Sequence, residues 1–88
     1  MQSMKPLREE IDKINHELLV LLNKRARFAQ QIGEIKKING ISTLNETREK
    51  EIVERMILAN DGPLTDYDVV FLFETIMKVC RELQEADY

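Results

Sequence analysis

Two cations, Arg25 and Lys36, stand out by their spacing within a long helical pattern. They are 11 residues apart. Three turns of helix take about 10.8 residues, so both side chains point the same way, roughly 16 Å apart along the axis. The small residues Ala29 and Gly33 lie between them on that face and leave room for a ligand or for a close helix crossing. The spacing predicts that the two cations could hold one small molecule from both ends.

Further polar residues occupy inner-facing positions later in the chain. Arg48 and Glu49 lie one helical turn before an apolar pair, which places both at the buried edge of a helix. Gln84 follows Cys80 by four residues and so lies on or beside an apolar face, where an unpaired amide is costly. Polar side chains from three predicted helices thus converge with cations in excess, which indicates a pocket for a small anion.

Each of these residues also has an ordinary structural interpretation. Arg25 could extend its charged end out of an apolar face or form a salt bridge. Lys36 could serve only the C-terminal dipole of its helix. Arg48 and Glu49 could be solvated surface charges, and Cys80 could be a core thiol. The pocket hypothesis therefore depends on the convergence of these residues and not on any one of them.

Helical periodicity organises the chain, and we expect one all-α domain over residues 1–88. Apolar residues recur every three or four positions, and no segment alternates convincingly with period two. Pro6 suits the start of the first helix, and Gly40 is a natural stop. The predicted helices span residues 5–39, 44–60 and 65–86.

The predicted helix starts depend on local capping signals. Thr43 and Glu46 have the spacing of a capping box, and Asn45 is a competing cap for the second helix. Thr65 or Asp66 is expected to cap the third helix, after a turn that contains Gly and Pro.

The first helix is too long for a small monomer. About 33 residues make a helix of roughly 50 Å, whereas a compact domain of this size is nearer 30 Å across. Its apolar seam nevertheless runs over the full length, with Arg25 at the one interrupted position; the seam comprises Leu7, Ile11, Ile14, Leu18, Leu21, Phe28, Ile32 and Ile35. A second chain would cover the rest of this seam, so we expect an intertwined, domain-swapped homodimer.

Helix geometry also separates Arg8 from the other predicted site residues. Arg8 precedes Arg25 by 17 residues, which puts the two about 25 Å apart on the helix. Arg8 therefore cannot reach the same small ligand within its own chain. In an antiparallel dimer it could reach the site of the partner subunit.

Composition excludes several other classes of function. The net charge of −3 argues against nucleic-acid binding, and no apolar run is long enough to span a membrane. The charged N-terminus is not a signal peptide, and a single cysteine, Cys80, fits a reducing cytoplasm. His16 is the lone histidine, and the chain has no Gly-rich phosphate loop. We therefore expect a cytoplasmic protein with no metal and no cofactor.

Four stretches in this order and spacing, "LREEID", "LLNKRARFAQQIGEIK", "TREKEI" and "LFETIMKVCRELQ", closely resemble the all-helical chorismate mutases. The resemblance runs from about Leu7 to Gln84, and the set that carries it is Arg8, Arg25, Gly33, Lys36, Arg48, Glu49 and Gln84. It implies a domain-swapped helical dimer with a long first helix. The segments "NDGPL" and "CRELQEADY" look like the mutase module fused ahead of DAHP synthase in some bacteria, so a fused or associated DAHP synthase is expected.

The activity that this resemblance implies is the rearrangement of chorismate to prephenate in phenylalanine and tyrosine biosynthesis. The step needs orientation and charge stabilisation rather than a nucleophile or proton transfer. By resemblance, Arg25 and Arg8 of the partner subunit hold the two substrate carboxylates. Lys36 and Gln84 donate hydrogen bonds to the ether oxygen.

The resemblance assigns Glu49 to the ring hydroxyl of the substrate, with Arg48 supporting Glu49. Two positions depart from the commonest pattern of the family. Asn45 stands where many members have aspartate near the hydroxyl, and Cys80 stands where a serine often contacts the substrate. A thiol is a weak donor, so we expect lower affinity rather than loss of the chemistry.

Three alternatives stay open from the sequence. Isochorismate–pyruvate lyase shares this fold and a similar pocket, and the pocket residues alone do not decide against it. A regulatory or dimerisation module that binds chorismate or prephenate for a fused DAHP synthase would carry the same polar set. A purely structural helical dimer is the simplest limit.

Overall fold

The computed structural model describes residues 3–85, which form three α-helices and contain no strand. In chain order these are α1, Lys5–Ile38; α2, Glu46–Ala59; and α3, Asp66–Glu85. The prediction of an all-α chain with a very long first helix is confirmed. Residue 86, the predicted end of the third helix, lies outside the described residues.

Helix α1 ends in a Schellman motif. The Ile41 backbone N–H donates to the Lys36 carbonyl at 2.8 Å, and the Gly40 N–H donates to the Lys37 carbonyl at 3.3 Å. This turn needs a left-handed residue, and Gly40 supplies it with φ +65°. The motif turns the chain sharply just after Lys36, so the next loop folds back over that side chain.

Helix α2 begins at Glu46, two residues later than the predicted start at residue 44. Asn45 is the cap, since its Oδ1 accepts from the Arg48 backbone N–H at 3.0 Å. The alternative capping box of Thr43 and Glu46 is wrong, because the Thr43 hydroxyl donates instead to Glu85 Oε1 at 2.7 Å. A local signal at Thr43 was thus overridden by a tertiary contact with α3.

Helix α3 begins with a reciprocal cap. The Asp68 N–H donates to Thr65 Oγ1 at 3.1 Å, and the Thr65 N–H donates to Asp68 Oδ2 at 3.0 Å. Of the two predicted caps, Thr65 is therefore the one that is used. None of the helices in residues 3–85 has both the length and the apolar content needed to cross a membrane.

Helix α3 packs against both α1 and α2 and lies between them. The side chains buried at these contacts are Ala29, Val69, Met77 and Cys80. Gly33 is buried where α1 and α3 cross. A Cβ at position 33 would lie 2.7 Å from Gln84 Cγ and 2.9 Å from Gln84 Cβ, so the two helices approach this closely only because residue 33 is glycine.

The described chain is a single layer of helices. Its Cα atoms extend over 61 × 29 × 14 Å, with a radius of gyration of 16.4 Å. A compact domain of this length would have a radius of gyration near 12 Å. The N-terminal half of α1 projects beyond α2 and α3, and its seam residues are at least half exposed, from Leu18 at 50% to Leu7 at 67%. These exposed seam residues are the surface that the predicted second chain would cover.

Candidate active site

A cavity of about 290 Å³ lies where the C-terminal halves of α1 and α3 meet the first turns of α2. Its size is close to the lower limit for small-molecule sites. The predicted site residues of one chain all line it: Arg25, Lys36, Asn45, Arg48, Glu49, Cys80 and Gln84. The polar residues that the sequence placed on inner faces are therefore brought together by the fold.

The α1 side of the cavity carries Arg25 and Lys36, as their spacing predicted. Arg25 Nη1 donates to Cys80 Sγ at 3.2 Å, and Lys36 Nζ donates to the Thr43 carbonyl at 2.9 Å. Both cations are half-buried. A thiol and a carbonyl orient these side chains without neutralising them, so their positive charge stays available to an anion.

The α2 side of the cavity carries Glu49, the single acidic residue of the lining within residues 3–85. Arg81 Nη1 of α3 contacts both carboxylate oxygens of Glu49. This hydrogen bond raises the pKa of the Arg81 guanidinium, against an opposing effect of desolvation. Arg81 thus reaches Glu49 from the neighbouring helix, a contact that the sequence did not predict. The expected support of Glu49 by Arg48, its neighbour in sequence, stays a prediction.

Arg48 lies in the first turn of α2 and belongs to the cavity lining. Its backbone N–H is used by the Asn45 cap at 3.0 Å, while its side chain is exposed and lines the cavity. Asn45 also lines the cavity, so its capping role and a position near a ligand are compatible.

Gln84 lies on the α3 side with a defined amide orientation. Its Nε2 donates to the Ala29 carbonyl at 2.9 Å, while its Oε1 is buried without a hydrogen-bond partner among the described residues. The opposite orientation would place Oε1 against another acceptor, so the observed one is favoured. The amide retains one N–H and an unpaired carbonyl oxygen, and an unpaired buried polar atom is costly until a ligand satisfies it.

The charges in the cavity do not balance. The Arg81–Glu49 pair is neutral overall, and three further cations, Arg25, Lys36 and Arg48, line the same space. An excess of positive charge beside apolar side chains favours a compact organic anion. The arrangement can bind such a molecule, fix its orientation and donate hydrogen bonds to it.

Sequence reasoning missed two polar residues of the lining, Thr43 and Arg81. Arg81 lies three positions before Gln84, which places both on neighbouring parts of one helix face. That spacing was a usable signal for Arg81. The carbonyl of Thr43 had no comparable signal, since a backbone group in a loop is placed only by the fold.

Arg8 lies far from this cavity along α1, and it is exposed. Its Nη2 lies 3.9 Å from Met4 Sδ, one turn earlier in the same helix. Arg8 and Arg25 both lie on the uninterrupted helix α1, so helix geometry keeps them about 25 Å apart within the chain. A contribution of Arg8 to the cavity of a partner subunit stays a prediction.

This chain is similar in sequence to several known proteins. The bifunctional chorismate mutase/prephenate dehydratase of Aquifex aeolicus is 40% identical over 86 residues, which cover 98% of this chain and 23% of that protein. The corresponding protein of Neisseria gonorrhoeae is 40% identical over 79 residues, which cover 90% of this chain and 21% of that protein. This chain thus spans less than a quarter of the length of these curated relatives.

A solved structure has nearly the same fold. The form II structure of chorismate mutase from Thermus thermophilus superimposes with a TM-score of 0.94 at 32% identity, and the match covers 98% of both chains. The profile of the family described as chorismate mutase type II matches residues 7–85. This range contains all cavity residues and all of the three helices except the first two residues of α1. By this match and by the fold it shares with the Thermus protein, the chain belongs to the chorismate mutase type II family.

Proposed function

We propose that this chain catalyses the rearrangement of chorismate to prephenate. The observation that carries the proposal is one cavity in which Arg25, Lys36 and Gln84 lie together with cations in excess. Chorismate is a compact dianion with an ether oxygen, so it matches both the charge and the hydrogen-bond donors of the cavity. Family membership supports the same assignment.

The proposed chemistry uses orientation and charge stabilisation. Binding holds the flexible enolpyruvyl arm over the ring, which removes conformational freedom before the reaction. The ether oxygen gains negative charge as its bond to the ring carbon breaks. Lys36 and the second N–H of Gln84 would donate to that oxygen and so stabilise the transition state more than the ground state.

The substrate carboxylates would be held by Arg25 and by Arg8 of the partner subunit. An arginine presents a planar fork that matches a carboxylate. The dimer that this requires is supported by the thin layer of helices and by the exposed seam on the N-terminal half of α1. An antiparallel pairing of two α1 helices would cover both seams and bring each Arg8 to the other cavity.

The ring hydroxyl would be bound on the α2 side, where Glu49 can accept its hydrogen bond and where Arg48 and Asn45 line the cavity. Cys80 would act at the periphery, since its Sγ already accepts from Arg25. Replacement of a serine by this thiol is expected to weaken substrate binding modestly, because a thiol is a poor donor.

In the cell, the chain would act in phenylalanine and tyrosine biosynthesis, in the cytoplasm. A further enzyme on the same polypeptide, or associated with it, is part of the proposal. The tail resembles a mutase module ahead of DAHP synthase, whereas the curated relatives named above are fused with prephenate dehydratase.

The deciding experiment follows chorismate disappearance by absorbance with the purified chain and identifies the product. Prephenate formed in proportion to protein would support the mutase. Pyruvate formed from isochorismate, with slow turnover of chorismate, would show that the chain is an isochorismate–pyruvate lyase instead. Binding of chorismate or prephenate without turnover would indicate the regulatory module.

A further inference from the structure

We infer that Arg81 is a positioning residue for the proposed reaction. Arg81 neutralises the Glu49 carboxylate and fixes its orientation, so that the cavity accepts a dianion. This inference rests on the proposed function. The family resemblance assigned no role to Arg81. Its assignment comes from the contact between α2 and α3.

The geometry of the pair supports a fixed carboxylate. Arg81 Nη1 lies between the two oxygens of Glu49 and contacts both. The side chains are 27% and 24% exposed respectively, so the pair is partly shielded from water. A carboxylate that is contacted at both oxygens loses rotation about its last torsion, which is the freedom that would otherwise misdirect its lone pairs.

The pairing leaves Glu49 able to bind a hydroxyl. An ionised carboxylate has about four lone-pair positions, and one guanidinium nitrogen uses only part of them. The remaining lone pairs can accept from the ring hydroxyl of the substrate. Glu49 can therefore be paired with Arg81 and act on a ligand at the same time.

Electrostatics explains why the pairing matters for binding. Glu49 is the one carboxylate in the cavity lining formed by residues 3–85, and an uncompensated carboxylate would repel each carboxylate of a bound dianion. Arg81 removes that repulsion without occupying Arg25, Lys36 or Arg48. These three cations therefore remain available to bind the ligand.

The test compares kcat and KM for chorismate in Arg81→Met, Arg81→Lys and the control Arg55→Met. Arg55 is an exposed arginine of α2 that is not part of the cavity lining. We expect Arg81→Met to raise KM by about tenfold or more, with a smaller change in kcat, because repulsion acts on binding. Arg81→Lys should recover part of the loss, since it restores the charge without the fork, and Arg55→Met should behave as wild type.

A second background separates positioning from simple stabilisation. In Glu49→Gln, adding Arg81→Met should change KM by less than about twofold, because no carboxylate is left to neutralise. The double variant Glu49→Gln/Arg81→Met removes both charges together, so it should fold even where Arg81→Met alone does not. An equal increase of KM in both backgrounds would overturn the inference, as would an Arg81→Met variant with lower Tm and unchanged KM.

Titration of the same variants with prephenate measures dianion binding without turnover. Weaker binding in Arg81→Met that is absent in the Glu49→Gln background supports the inference even if turnover is undetectable. If the wild-type chain converts chorismate and Arg81→Met changes neither KM nor prephenate binding, the inference is overturned while the proposed function stands. A wild-type chain that neither converts chorismate nor binds prephenate overturns both the inference and the proposed function.

Discussion

Gly33 of α1 lies directly against Gln84 of α3, and the absence of a side chain at position 33 sets the place of the Gln84 amide. A Cβ at position 33 would come within 2.7 Å of Gln84 Cγ and 3.2 Å of Gln84 Cα. The Gln84 Nε2 bond to the Ala29 carbonyl is made just one turn away on α1. The spacing of the two helices and the direction of the expected donor therefore depend on the same contact.

Gly33→Ala should separate α1 from α3 and displace Gln84. Alanine favours the helix by up to about 1 kcal/mol, but overpacking against the α3 backbone typically costs about 1–3 kcal/mol. We expect a net loss of thermal stability and a fall in kcat of tenfold or more. Paired measurements of Tm and kcat test this, with Gln31→Ala on the exposed side of α1 as control. Full activity in Gly33→Ala would show that the amide can reach its position by another path.

Lys36→Ala should lower kcat by about 10²-fold or more, which is the cost of removing an oxyanion-type donor in other enzymes. The turn at the end of α1 should stay in place, because the Schellman bonds of Gly40 and Ile41 do not use the Lys36 side chain. Lys24→Ala, an exposed position of the same helix, is the matched control. Steady-state kinetics on both variants decides, and near-wild-type turnover in Lys36→Ala would remove Lys36 from the chemistry.

Arg8→Ala and Arg25→Ala chains should each be inactive alone and should complement each other when mixed. Each heterodimer has one site with both arginines intact, so random exchange should restore roughly a quarter of wild-type activity per chain. Activity is measured after native mass spectrometry has shown chain exchange. Heterodimers with no recovered activity would argue against an arginine shared between subunits.

Gln84→Glu should make turnover depend on acid. A neutral amide donates at every pH, whereas a carboxyl group donates only in its protonated form. The variant should therefore gain activity as the pH falls and lose it as the carboxylate forms and repels the dianion, while wild type shows no such rise. A pH profile of kcat/KM checks this, with Glu82→Gln on the exposed side of α3 as a control. Parallel profiles for Gln84→Glu and wild type would place Gln84 away from the reacting oxygen.

Local signals were enough for much of the fold. The periodic seam and the stop at Gly40 predicted a first helix that ends within one residue of the observed Ile38. The spacing of Arg25 and Lys36 predicted a shared face, because helix geometry converts sequence separation directly into direction. The inward positions of Glu49 and Gln84 followed from apolar neighbours four residues away, and the cavity contains both.

Contacts between helices could not be derived in the same way. Which arginine of α3 pairs with Glu49 depends on how α2 and α3 are rotated against each other, and this rotation brings Arg81 to Glu49. Because of the same packing, the Thr43 hydroxyl donates to Glu85, and Asn45 is the residue that caps α2.

The sequence by itself determined the helices, the long seam and the set of polar residues that face inward, since all of these follow from periodicity and caps within one segment. Only the tertiary structure decided the partner of Glu49, the orientation of the Gln84 amide and the need for glycine at position 33. Those three features are set by the distance and rotation between packed helices, which depend on the fit of many side chains at once.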